Sequence, residues 1–108
     1  MKRDTEDTGD RPVVLDAMMR FGGYGYRRCD IKDLSMHGVY VLASDGSLTR
    51  LTKNESVELA LKLRANGKVK THVFQAQVRS VDRRGAGLSF SDADVDAYSA
   101  LLHLTFRS

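Results

Sequence analysis

Residues 57–81, VELALKLRANGKVKTHVFQAQVRSV, hold the clearest pattern in the chain. Val57, Leu59, Leu61 and Leu63 alternate with Glu58, Ala60 and Lys62. Side chains two apart share one face of an extended strand, so this run predicts a β-strand with one buried face. Asn66-Gly67 follows, the pair favoured where both central residues of a tight hairpin turn take positive φ. The chain then returns over roughly 69–81, with Phe74, Ala76 and Val78 on one face. The segment is a β-hairpin, and it sets a β class for the domain.

Upstream, Val13, Leu15, Ala17 and Met19 alternate with Val14, Asp16, Met18 and Arg20, which suits a strand, although Ala17-Met18-Met19 also suits a helix. GGYG (22–25) forces a turn because glycine tolerates positive φ. YRRCDIKDLS (26–35) resumes as a second strand, and VYVLA (39–43) is a third after the hexapeptide DLSMHG. Residues 44–56, SDGSLTRLTKNES, are polar, carry Asp-Gly and predict a loop. Downstream of the hairpin, DRRG (82–85) is a turn and AGLSF (86–90) a short last strand. The period then changes. Ser91 followed three residues later by Asp94 resembles a capping signal, and Val95, Tyr98, Leu101, Leu102 and Thr105 recur at helical spacing. An amphipathic helix of about 12 residues is expected, anchored by Leu101 and Leu102. Six short strands, tight turns and one late helix predict a mainly β fold: a six-stranded antiparallel β-barrel with a C-terminal α-helix.

A chain of 108 residues with 42% hydrophobic content supports one domain with a modest core. Its 17 basic and 14 acidic residues leave a net charge of +3, a weak bias toward an anionic partner. Residues 1–10 have no apolar side chain after Met1 and are expected to form a flexible N-terminal arm, with the folded domain over 11–108. Cys29 is the one cysteine. It has no partner for a disulfide or a zinc set, and it predicts a small buried or half-buried side chain in a reducing cytoplasm. The sequence has neither an apolar run of membrane-spanning length nor the apolar core of a signal peptide, so a soluble cytoplasmic protein is expected.

His37, His72 and His103 lack metal-ligand spacing, so no metal is expected. No serine lies in a G-x-S-x-G elbow. Asp92 and Asp94 at the helix start are accounted for by the helix dipole, and Gly22, Gly23 and Gly25 do not make a phosphate loop. An enzyme and a cofactor are not expected. Tyr24, Tyr26, Arg27 and Arg28 lie close together and are able to stack bases, but with 7% aromatics and no aromatic-basic repeat neither DNA nor RNA is expected as a partner.

Asp33, Ser35 and Gly38 remain, as D-x-S-x-x-G between two strands. On one reading Asp33 and Ser35 bond the local backbone to close a turn, while Gly38 supplies a positive φ or a close approach. On the other, a carboxylate and a hydroxyl two residues apart read one edge of a purine, Asp33 accepting from the N1 and N2 donors of guanine.

With these residues the chain resembles the PilZ domain family, bacterial receptors for the second messenger cyclic di-GMP. The family's D/N-x-S-x-x-G is intact as DLSMHG, AGLSF resembles its late Gly-containing strand, and DADVDAYSALLHL (92–104) resembles its C-terminal helix. Its six-stranded barrel and trailing helix match the elements above. The family's second motif, R-x-x-x-R, lies on the N-terminal arm roughly twenty residues earlier, where planar guanidinium groups grip phosphates and guanine edges. Arg11, 22 positions before Asp33, fits the second arginine, but Asp7 stands where the first belongs. Arg3, on a flexible arm, is the candidate replacement. The family also often carries an aromatic residue near the end of the penultimate strand, where this chain has Ser80 and Val81.

The resemblance implies a cyclic di-GMP site of Arg3, Arg11, Asp33, Ser35 and Gly38. Binding would order the arm and expose a surface to an unidentified effector protein, in control of motility or biofilm. The alternative is a degenerate PilZ domain that has lost the nucleotide and serves as a protein-protein interaction module in pilus or flagellar function. Intact DLSMHG favours the first, and Asp7 favours the second.

Overall fold

The hairpin over 57–81 forms, and the rest of the sheet assembles around it. In a computed structural model, which describes residues 13–22, 25–43, 46–65 and 67–105, β5 (Ser56–Ala65) and β6 (Lys68–Val81) pair antiparallel with Leu59 opposite Phe74. Val57, Leu59, Leu61 and Leu63 are buried, as are Phe74, Ala76 and Val78 across from them. Gly67 takes φ 77° in the connecting turn, while Asn66 lies outside the described residues. Each such fully buried Leu or Phe stabilises the fold by about 1.5–3 kcal/mol.

β1 (Val13–Arg20) lies along the other edge of β5. The strand reading of this segment holds, but its alternation is interrupted by a bulge between Val14 and Asp16. Ala17 and Met19 point into the core as expected. Beyond the bulge the parity shifts, so that Val14 packs against the core while Val13 and Leu15 are exposed.

On the far side of β6 come β7 (Gly85–Ala93), β4 (Gly38–Leu42) and β3 (Asp30–Lys32), and beyond β1 comes β2 (Arg27–Arg28), giving the order β2-β1-β5-β6-β7-β4-β3. β2 and β3 are separated by Cys29 alone. Residues 27–32 are therefore one bent segment whose first part pairs with β1 and whose second part pairs with β4, and through it the sheet nearly closes into a barrel. The amide of Cys29 donates to the carbonyl of Ala17 at 3.0 Å within this seam. The second strand expected over 26–35 is thus divided, which makes seven strands among the described residues of the six anticipated, because a strand that closes a barrel changes partners along its length. Cys29, at the change, is buried.

Among the described residues of the loop over 44–56 is a 3-10 turn, Ser47–Arg50, whose Leu48 joins the core together with Leu51. Helix α1 (Val95–Thr105) then packs over β6 and β7. Its cap is Asp94, whose Oδ1 accepts from the Ala97 amide at 2.7 Å, so the helix starts later than the Ser91 signal suggested. Ala97 and Leu101 are fully buried, but Leu102, expected as a second anchor, is 47% exposed.

Candidate functional site

The hexapeptide links β3 to β4, and each of its three motif residues has a distinct local task. Asp33 takes φ 55°, the left-handed region that aspartate tolerates better than most side chains. The Ser35 hydroxyl accepts from the amides of His37 and Gly38, both at 3.2 Å, and donates to the Gly38 carbonyl at 3.3 Å. Its donor and both lone pairs are thereby used in closing the turn. Gly38 lies opposite Ser89 of β7, where an added Cβ would overlap the carbonyl oxygen of Leu88. The close approach also lets the Phe90 amide donate to the His37 carbonyl at 2.8 Å. Leu34 and Met36 fix the loop from beneath by packing on the core. What remains free is the carboxylate of Asp33, exposed and without a hydrogen bond to any described residue.

That carboxylate stands on the rim of an open cavity of about 650 Å³, lined by Lys32, Asp33, Tyr40, Leu42, Asp82, Arg83 and Arg84. The sheet register builds its floor. Lys32 is opposite Tyr40, Tyr40 opposite Gly87, and Gly87 opposite Ser80, so the four form one row across β3, β4, β7 and β6. Val39 and Val41 on either side of Tyr40 are buried, which puts the row on the outer face of the barrel. The Tyr40 hydroxyl meets both oxygens of Asp82, at 2.7 and 2.6 Å. Asp82 Oδ1 also accepts from the amides of Arg84 and Gly85, at 2.8 and 2.9 Å, and so closes the β6–β7 turn.

These bonds hold the Asp82 carboxyl below its ordinary range, the Tyr40 hydroxyl first and the two turn amides next. The same bond to Asp82 raises the Tyr40 phenol. Arg83 and Arg84 leave the turn into solvent, and neither forms an ion pair with a described residue. The lining therefore carries three cations, Lys32, Arg83 and Arg84, and two carboxylates, of which Asp82 is tied into the turn while Asp33 has no hydrogen bond to a described residue. Chemically the cavity offers an acceptor for paired N–H donors, guanidinium groups for an anion, and an aromatic face.

Of the five residues singled out from the sequence, the structure brings Asp33, Ser35 and Gly38 together in one loop, while Arg3 and Arg11 lie outside the described residues. Around Asp33 it adds Lys32, Tyr40, Arg83 and Arg84. Tyr40 was signalled by its outward parity between two valines, but Arg83 and Arg84 read only as turn residues, because nothing local shows that DRRG comes beside DLSMHG. The Tyr26 and Arg28 group is tied into the β1 side of the barrel. Arg28 pairs with Asp16 at 3.4 Å, Tyr26 bonds Glu58, and the Arg20 guanidinium lies 5.4 Å from the Tyr26 ring centroid.

Among the described residues no group of three or more His, Cys, Asp or Glu is placed to hold a metal ion, and no helix is long and apolar enough to cross a membrane. Compared with known families, the chain matches the model of the PilZ domain over residues 9–107. No curated protein matches it.

Proposed function

Because the chain belongs to the PilZ domain family, matching it over residues 9–107, we propose that it is a cytoplasmic receptor for cyclic di-GMP. The observation that carries this reading is the Asp33 carboxylate, without a hydrogen bond to any described residue, on a residue that lines an open cavity of about 650 Å³. That volume lies within the ~300–1,000 Å³ of ordinary ligand sites. Asp33 accepts from N1–H and N2–H of a guanine, the only common base with two such donors side by side. Ser35 and Gly38 serve by holding the loop that presents Asp33. Arg11, with Arg3, reaches the ligand from the arm, and ordering of residues 1–10 relays occupancy to an effector protein.

Calorimetric titration with cyclic di-GMP tests the proposal. The wild-type chain binds, Asp33→Ala weakens binding at least about tenfold, as expected for a lost charged hydrogen-bond pair, and cyclic di-AMP, whose adenine N1 is an acceptor, does not compete. Absence of binding at concentrations on the order of 100 μM would sink it. The degenerate reading, favoured by Asp7 in place of arginine, would then stand, with a protein partner whose capture ignores the nucleotide.

A further inference from the structure

Resting on that receptor reading, we infer that the ligand's phosphates are gripped by Arg83 and Arg84 of the β6–β7 turn and that one base stacks on Tyr40. On this arrangement the turn arginines work beside Arg11, whose expected partner position is occupied by Asp7.

Three observations converge. The first is that the arm has one arginine of the expected pair, since Asp7 occupies the other position. A diester with two phosphates therefore lacks a matched guanidinium pair there. Arg83 and Arg84 supply one on the wall of the very cavity whose rim carries Asp33. Neither forms an ion pair with a described residue, although the Arg84 charge helps to lower the Asp82 carboxyl, so no close pair has to break when an anion arrives. Lys32 adds a third charge beside Asp33.

The second observation concerns the aromatic surface. Ser80, where the resembled family often carries an aromatic, lies in the same outer row as Tyr40, with Gly87 between them. An added Cβ on Gly87 would come within 2.7 Å of the Ser80 hydroxyl oxygen. Gly87 presents no side chain beside Tyr40, whose ring is the one aromatic group lining the cavity among the described residues. The third is rigidity. Asp82 holds the Tyr40 hydroxyl with both oxygens while closing the turn that carries the arginines, so one carboxylate fixes the stacking ring and the phosphate grip relative to each other. Asp82 is a positioning residue, and preorganisation of this kind lowers the ordering entropy lost on binding.

The test is calorimetric titration of the full chain with cyclic di-GMP. Arg83 and Arg84 are exposed and make no described side-chain bond, so the double variant Arg83→Ala/Arg84→Ala folds with unchanged thermal stability. It is expected to lose about 30-fold or more in affinity and to show a weaker salt dependence than wild type. Tyr40→Ala is expected to lose about tenfold, as for loss of a stacked base, with Tyr40→Phe recovering part of it. Wild-type binding combined with a double variant within about threefold overturns the inference and leaves the receptor reading intact. No wild-type binding overturns both.

Discussion

At Gly38 a single missing carbon allows β4 to approach β7, because a Cβ there would overlap the Leu88 carbonyl oxygen. Gly38→Ala therefore forces two paired strands apart and is expected to destabilise the fold by about 1–3 kcal/mol, measured by urea unfolding. Gly25→Ala is the control, with nothing within 4 Å of its added Cβ and an expected change within about 0.5 kcal/mol. The motif as such was legible from spacing, but its division of labour was not. The positive φ falls on Asp33 and the close approach on Gly38, since both are decided by how β4 docks on a strand about fifty residues away in the chain. Tyr40 and Asp82 give a second prediction at this scale. The Tyr40 phenol is raised above 10.0, chiefly by its bond to Asp82, so the fold favours the neutral ring. That stabilisation is complete below the ordinary phenol value and is lost as pH climbs through the raised one. Asp82 is lowered below 3.8, so its contribution is present above the ordinary carboxylate value and is lost as pH falls through the depressed one. NMR titration of the Tyr40 ring should show its midpoint moving down in Asp82→Asn; an unmoved midpoint would mean that the bond is absent in solution.

Helix α1 shows how an element is legible in kind and misread in detail. Its period was visible from Val95 to Thr105, but Val95, Tyr98 and Leu102 are the exposed side, at 86%, 41% and 47%. The buried side runs through Ala97 and Leu101. Alanine hardly registers in a hydrophobic count, yet its small size lets the helix settle close to the sheet, and this rotates Leu102 outward. The starting point was misplaced for a related reason. β7 continues to Ala93, paired with Phe74, so Ser91 is still in the sheet and Asp94 becomes the cap. Leu101→Ala is accordingly expected to destabilise by about 2–5 kcal/mol and Leu102→Ala by less than about 1 kcal/mol, in thermal or urea unfolding. Equal losses at the two positions would contradict the orientation described. The turn Ser47–Arg50 escaped detection because its core residue Leu48 and the following Leu51 are isolated in a polar run, and one three-residue spacing is too short to register as a period.

For the whole molecule, the barrel's weakest line is the segment that closes it. β5 and β6 share ten register pairs, whereas β2 holds β1 through two and β3 holds β4 through three. The central hairpin was plain in the sequence because its pairing is local. The closure was not, because residues 27–32 read as an ordinary strand until both of their partners are known. Cys29 lies at the exchange of partners, where burial above all, then the charges of Asp30 and Asp16, pushes its thiol up to about 12. At neutral pH the group is a buried neutral thiol that reacts only when the seam opens. If the seam opens on its own, with the β5–β6 hairpin intact, it exposes less surface than global unfolding does. The logarithm of the Cys29 labelling rate with a thiol reagent should then rise with urea less steeply than the global unfolding equilibrium constant. Amide exchange at Arg28 and Cys29 should share that shallow dependence, while amides at Leu59, Leu61 and Phe74 follow global unfolding. Identical slopes for Cys29 and for Leu61 would show instead that the seam and the hairpin open as one unit, and that two pairs on β1 and three on β4 suffice to make closure of the barrel fully cooperative.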